Sequence, residues 1–391
     1  MIRIPFIYNL RSMKVRWVST LVAIISIAGV VAVFLAVLSM ARGFRETVKS
    51  SGSVDNALVL RGGATGEIQS ILPLEHTKII GDAAGVKRDE NNTPIISQEV
   101  VTNVSLPRRG TGEKNSVLFR GVSHKALEVH DRIKLARGRF FKPGLTELVV
   151  GKNVAPSFQG LDIGESISFG GQNWTVVGVF ESGGTSFDSE IWCDATLLNQ
   201  AYKRPTDIFQ SVTAKLSSVD SFGEFKDALT ADPRLTVKVE RESVYYENQS
   251  KGLATFIRVI GFLIAFIMAI GAVFAALNTM YAAVSERSSE IATLRALGFV
   301  EGNVVVSFLL ESLTIAFFGG IVGCVVILPL NGFTASTFNM ATYSQLAFAF
   351  RVTPDLMMQG IIFALFMGFF GGLLPALRAA RQQIAGTLRG M

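Results

Sequence analysis

Four apolar runs, each long enough to cross a lipid bilayer as a helix, constrain this 391-residue chain more than any other feature. A helix needs about 20 apolar residues, rising ~1.5 Å each, to span ~30 Å of hydrocarbon. The runs cover about 17–40, 259–284, 304–330 and 356–374, and only the third holds an ionisable residue, Glu311. With 49% hydrophobic and 17% charged residues, the composition also lies outside the usual soluble range. The first run follows Arg3, Arg11, Lys14 and Arg16, as in a secretory leader. It exceeds a typical leader's apolar stretch, and no clear small-x-small cleavage site follows, so it is expected to remain as an anchor.

Lysine and arginine beside helix ends tend to stay in the cytoplasm. The amino terminus carries no acid before Glu46, and the tail holds Arg378, Arg381 and Arg389 without one. Both termini are therefore expected inside, with the long stretch after the first helix outside. The expected plan is a cytoplasmic interfacial segment at 1–16, a transmembrane helix at 17–41, an extracytoplasmic α/β domain at 42–257, and a second transmembrane helix at 258–284. A cytoplasmic segment at 285–302 follows, then a third helix at 303–330, an extracytoplasmic loop at 331–355, a fourth helix at 356–377 and a cytoplasmic tail at 378–391. The fold class is thus a polytopic α-helical membrane protein with four transmembrane helices plus a large mixed α/β extracytoplasmic domain. In 1–16, Ile4, Phe6, Ile7, Leu10 and Met13 alternate with the basic residues, which suits a helix lying in the interface or an ordinary basic flank.

Short β-rich runs bounded by glycine and proline mark the outer domain. Residues 166–169 and 174–180 flank Gly170 and Gly171, a hairpin signature. Strands at 209–216 and 235–240 around an amphipathic helix at 219–229 suggest a compact βαβ unit. The stretch 62–92 resists placement, and two subdomains are plausible at this size.

The net charge of +6 sits beside the apolar runs, which fits membrane lipid and orientation rather than nucleic acid. Cys193 lies in a polar segment and Cys324 in an apolar run, so no disulfide between them is expected. His76, His124 and His130 lack metal-ligand spacing, so no metal is expected. No glycine-rich loop ending in Lys-Ser or Lys-Thr is present, and GTGEKNS at 110–116 has the wrong spacing. Nucleophile-elbow, HExxH and CxxC patterns are also missing, leaving no catalytic set and no cofactor on this chain. Any ATP and Mg would be bound by a partner.

The inner segment SERSSEIATLRALGF, 285–299, is the most informative. Glu286 and Glu290 lie one turn apart, Arg287 precedes Glu290 by three, and Ile291, Leu294 and Leu297 form an apolar stripe before the terminator Gly298. Such a helix suits docking in another protein's groove, or simply ends the second membrane helix. Glu311 suits either interhelical bonding or proton transfer, and a purely structural role predicts that Glu311→Gln leaves function nearly intact. Gly319, Gly320 and Gly323, with Gly368, Gly371 and Gly372, permit close helix packing more naturally than a pore.

ERSSEIATLRALGF closely resembles the R-x-x-E-I-x-x-L-R-A-L-G signature of the MacB, LolC/LolE and FtsX family of ABC transporter permeases, through Arg287, Glu290, Ile291, Leu294, Arg295, Ala296, Leu297 and Gly298. FLLE at 308–311, PALRAA at 375–380 (with Pro375, Arg378 and the nearby Arg381) and VVGVF at 176–180 extend the likeness, while Gln382 and Gln383 replace a usual downstream proline. The resemblance implies a MacB-like periplasmic domain and a non-catalytic subunit of the bacterial inner membrane that pairs with a copy or close relative. It also implies two copies of a separate ABC ATPase docked on 286–298, and mechanotransmission to the outer domain. A MacB-like split exporter, with a periplasmic adaptor and an outer-membrane duct, competes with lipoprotein release of the LolC/LolE kind and with FtsX-like signalling to a cell-wall hydrolase. The absence of a recognisable lipoprotein-binding hook gives the exporter a slight preference.

Overall fold

The computed structural model describes residues 16–382. The interfacial helix proposed for the amino terminus and the last residues of the tail therefore lie outside the described residues. In chain order the elements are α1 (Trp17–Lys49), β1 (Asn56–Arg61), β2 (Leu72–Pro73), α2 (Leu74–Asp82), β3 (Ile96–Pro107), β4 (Lys114–Val122), α3 (Ala126–Val129), β5 (Lys134–Gly138), β6 (Glu147–Gly151), β7 (Ser166–Phe169) and β8 (Gln172–Glu181). Then come β9 (Glu190–Asp194), α4 (Ala195–Ala201), β10 (Ile208–Phe209), β11 (Ser211–Lys215), α5 (Phe222–Ala231), β12 (Val237–Arg241), α6 (Glu242–Glu286), α7 (Ser288–Ala296), α8 (Glu301–Ile327), β13 (Thr334–Asn339), β14 (Ser344–Ala349) and α9 (Pro354–Ala380). They form two units. A helical unit holds the chain up to Arg42, Thr255–Phe333 and the chain from Phe350 on, and a sheet unit holds Gly43–Ala254 and Thr334–Ala349.

The sheet unit is built on a ten-stranded sheet in the order β12-β1-β11-β3-β4-β9-β6-β8-β5, with β7 also on β8. Pairing is antiparallel except for β4 with β9 and β6 with β8. Two apolar cores lie on it. One gathers Phe119, Leu148, Trp174 and Ile191, the other Val59, Ile80, Phe225 and Val239. The hairpin around Gly170 and Gly171 forms as β7–β8, and both glycines sit at positive φ. The compact βαβ unit needs correction: β11 and β12 flank α5 in sequence, but β1 lies between them and pairs with both. Five successive residues of β1, Asn56–Leu60, are buried, and that interior face is satisfied only between two partners. The stretch 62–92 contains β2 and α2.

Three elements extend beyond or into the expected segments. Helix α1 runs to Lys49, beyond the expected end at 41, because Phe44 and Val48 remain buried while Arg45 and Lys49 pair with Glu247 at 2.8 and 3.2 Å. Helix α6 begins at Glu242, sixteen residues before the apolar run. The expected loop at 331–355 contains the hairpin β13–β14, which belongs to the sheet unit. Asn103 Nδ2 donates to Thr342 O at 2.8 Å, Ala347 N–H donates to Ser189 Oγ at 3.0 Å, and Phe348 meets Phe44 edge to face.

In the helical unit, α1, α6, α8 and α9 are long and apolar enough to cross a membrane. At ~1.5 Å per residue the 45 residues of α6 measure about 68 Å, roughly twice the hydrocarbon thickness. Ala23, Ile27, Val31 and Leu35 recur every fourth residue along α1 and pack on Ala265, Ala269 and Ala272 of α6, Ile315 of α8 and Ala364 of α9. Phe262, Phe266 and Phe274 of α6 stay exposed, as a face toward hydrocarbon requires.

Candidate functional site: the inner helix α7 and its anchors

Helix α6 ends at Glu286, and Arg287 departs from helical geometry before α7 starts at Ser288. The expected inner segment 285–302 is thus shared among three helices. Leu297 N–H bonds back to Thr293 O, and Gly298 adopts φ +95°, where a Cβ would be strained, so α7 stops there. Phe299 N–H then closes on Leu294 O at 3.2 Å.

The apolar stripe is not a single exposed face. Ile291 is 3% exposed and packs with Met280, Val284, Val304, Phe308, Ala376, Ala379 and Ala380, whereas Leu297 is 70% exposed. Leu294 is half-buried, and Glu290 is exposed. PALRAA thereby gains a packing role: its small side chains leave room for Ile291, while Arg378 lies over the Tyr281 ring at 5.5 Å. Pro375 is buried inside α9, and Arg381 follows the helix as its C-cap.

Both arginines of the motif bond to acids of their own chain. Arg287 donates from Nη1 to Glu311 Oε2 at 3.2 Å and from Nε to Glu290 Oε2 at 3.3 Å, with its guanidinium over the Phe308 ring. Arg295 donates to Glu301 Oε1 at 2.7 Å and to Gln382 O at 2.9 Å. Glu311, 2% exposed on α8, also accepts from Arg16 Nη2 at 2.8 Å, and Arg16 Nε lies 3.7 Å from Glu286. The result is a row of alternating charge: Glu286, Arg16, Glu311, Arg287, Glu290. A buried carboxylate needs such partners because desolvation of an unpaired charge costs several kcal/mol. Sequence reasoning missed Arg16 as Glu311's partner. The available signal was position, since Arg16 immediately precedes one apolar run and Glu311 lies near the start of another.

The six glycines sit at helix contacts. A Cβ on Gly319 would lie 2.9 Å from Ile27 Cβ, one on Gly323 2.8 Å from Val31 Cβ, and one on Gly320 3.0 Å from Ala364 Cβ. Gly371 faces Ala276, Gly368 faces Ala316, and Gly372 faces Ser312. Among the described residues no group of His, Cys, Asp and Glu could hold a metal ion. Both cysteines are free and buried.

Known proteins share both parts of this architecture. Residues 19–232 match the MacB-like periplasmic core domain family, and residues 262–384 match the FtsX-like permease C-terminal family. The chain is 25% identical over 333 residues to the uncharacterized ABC transporter permease YknZ of Bacillus subtilis (strain 168), covering 81% of this chain and 80% of that one. It is 24% identical over 404 residues to the lipoprotein-releasing system transmembrane protein LolC of Xylella fastidiosa (strain 9a5c), covering 95% and 93%. It is 25% identical over 402 residues to the macrolide export ATP-binding/permease protein MacB of Hyphomonas neptunium (strain ATCC 15444), covering 95% of this chain but 58% of that longer one.

Proposed function

The chain belongs to the MacB, LolC and FtsX family of ABC transporter permeases, and from that premise we propose that it carries ATP-driven motion from a separate ATPase, through α7, to its sheet unit for export or extraction of a substrate. Two ATPase copies, binding ATP and Mg, dock on a pair of permease subunits in a bacterial inner membrane. Both termini face the cytoplasm and the sheet unit lies outside, where a periplasmic adaptor and an outer-membrane duct receive the cargo.

One observation carries this reading: α7 presents Glu290 and Leu297 outward while Ile291, Arg287 and Arg295 lock its other face to the neighbouring helices. A handle of this kind moves its anchors when it is moved. A second reading, release of a lipid-anchored cargo, is supported by the nearly full-length match to LolC.

The test is Leu297→Asp in the chain coexpressed with its genomic ATPase. The substitution alters an exposed side chain, so insertion and thermal midpoint should stay within the ±0.5 kcal/mol typical of surface changes, while copurification of the ATPase and its coupled activity fall. Undiminished copurification and coupling would remove α7 as the docking helix. Charge reversal at Glu290 should act in the same direction.

A further inference from the structure

The sheet unit buries a cluster of six ionisable side chains that the transport reading does not use. Arg120 of β4, 1% exposed, donates from Nε to Glu190 Oε2 at 2.8 Å and from Nη1 to Glu67 Oε1 at 2.8 Å and Glu99 Oε2 at 2.7 Å. The other Glu99 oxygen meets His130 Nε2 at 2.7 Å, and His130 Nδ1 lies 3.6 Å from Glu242 Oε1. Phe187 and Trp192 pack edge to face on the imidazole at 5.1 and 5.4 Å. Four carboxyl groups face one guanidinium, and a proton on His130 offsets part of that acidic excess, while burial raises the Glu190 and Glu242 carboxyls above their ordinary range.

Glu242 is the first residue of α6. Its Oε2 accepts from Ser53 N–H and from Asn56 Nδ2, both at 2.9 Å, and Ser243 N–H donates to Ser53 O at 3.3 Å. A Cβ on Gly52 would lie 2.5 Å from Glu242 O, so backbone meets backbone. The start of β1, the segment following α1 and the first turn of α6 therefore converge on one carboxylate.

We propose that protonated His130 is the positioning residue that pins the first turn of α6 to the sheet, and that its proton controls how firmly that turn is held. The proposal deepens the transmission reading, because α6 continues to Glu286 beside α7, but the joint itself stands on the sheet unit's geometry alone. Burial alone would lower the His130 pKa, yet the charge and hydrogen bond of Glu99, aided by Glu242 and opposed by Arg120, raise it. Burial likewise works against the charge of Glu99, but His130 and Arg120 overcome it and bring that carboxyl to about 2. On His130's own turn, Asp131 is engaged by Lys215 at 3.0 Å and Arg132 donates to Ser50 O. Glu67 and Glu190 face the cluster through Arg120. A histidine raised above its unfolded value of about 6.5 contributes its stabilisation below that value and loses it as pH rises through the folded one. The pin is thus firm in mild acid and releases in base.

Hydrogen exchange on the full chain in nanodiscs tests this at about pH 6 and about pH 9, with intrinsic rates corrected. Protection of peptides covering 52–56 and 242–248 should fall about tenfold between the two conditions as the His130–Glu242 ion pair loses its positive charge, with β4 unchanged. His130→Gln should show the low protection at both pH values. Equal wild-type protection at both pH values, or a wild-type pH response in the variant, overturns the proposal. Should His130→Gln not fold, the His130 ring is titrated by NMR in the wild-type chain, where a midpoint at or below 6.5 overturns it and a raised one supports it. No ATPase enters the measurement, so its failure leaves α7 docking intact, and a failed Leu297 test leaves the pin intact.

Discussion

Replacing Arg120 with leucine removes the cation at the centre of the sheet unit while keeping most of its volume. The guanidinium is 1% exposed, and its three acid partners, Glu67, Glu99 and Glu190, have side chains no more than 5% exposed. Removing one partner of a buried ion pair costs about 3–5 kcal/mol, because the remaining charge must stay desolvated or take up a proton. For a unit of about 200 residues, ~1 kcal/mol moves the midpoint by roughly 2–4 °C, so the expected loss is about 6–20 °C. Arg120→Lys keeps the charge but cannot present the guanidinium fork to three carboxylates, and should fall in between. The assay is thermal unfolding of the full chain in detergent by tryptophan emission, in a Trp17→Phe background. The signal then arises from Trp174 and Trp192, both in the sheet unit, and Trp192 Nε1 donates to Glu190 Oε2 at 3.0 Å. The deficit should narrow as pH falls below about 5, when the orphaned carboxylates are neutralised. A leucine variant melting within about 2 °C of wild type near neutral pH would refute the argument that the cluster depends on its cation.

Glu311→Gln should lower the midpoint of the helical unit by the equivalent of about 1.5–3 kcal/mol, since two arginines donate to this carboxylate. A structural role thus no longer predicts a silent substitution, and an unchanged detergent melting curve would contradict the row of charges. Burial, with the nearby Asp194 charge, pushes the Cys193 thiol well above its ordinary range. In the folded chain it should resist iodoacetamide near pH 8 and react after denaturation, as read by mass spectrometry; rapid labelling of the native protein would show the strand to be open.

What the sequence made legible follows from where a single local rule decides the outcome. Hydrocarbon admits only long apolar helices, so the centres of α1, α6, α8 and α9 were readable. Their extensions were not: in Gly43–Lys49 only Phe44 and Val48 are strongly buried apolar anchors, and hydropathy stops where the helix does not. The residues of β1 read as a buried strand, but its place between β11 and β12 depends on pairings more than 150 residues away. The hairpin β13–β14 carries a period-two signal in Leu346 and Phe348, hidden by its position between two spans. Within the inner motif, spacing located the helix but not which way its side chains turned. The intrachain acids of Arg287 and Arg295, Glu311 and Glu301, belong to the next helix and lie beyond the reach of a local pattern. The buried ionic cluster was least accessible, because charged residues are normally placed outside until a partner is known.

The two ionic clusters meet α6 at its two ends, Glu242 at the first and Glu286 at the last. Between them, α6 contributes Ala265, Ala269 and Ala272 to the buried face it shares with its neighbours. Small apolar side chains let helices approach closely without deep interlocking, and their contacts are short-ranged. Charged hydrogen bonds, in contrast, fix a partner atom by atom. Glu242 meets this description through its bonds from Ser53 N–H and Asn56 Nδ2, whereas Glu286 is exposed and only approached by Arg16 at 3.7 Å. Under the proposed function, loosening the Glu242 end should uncouple ATP hydrolysis from substrate movement while leaving hydrolysis itself running. Substitution of the alanine face with larger side chains should instead impair assembly.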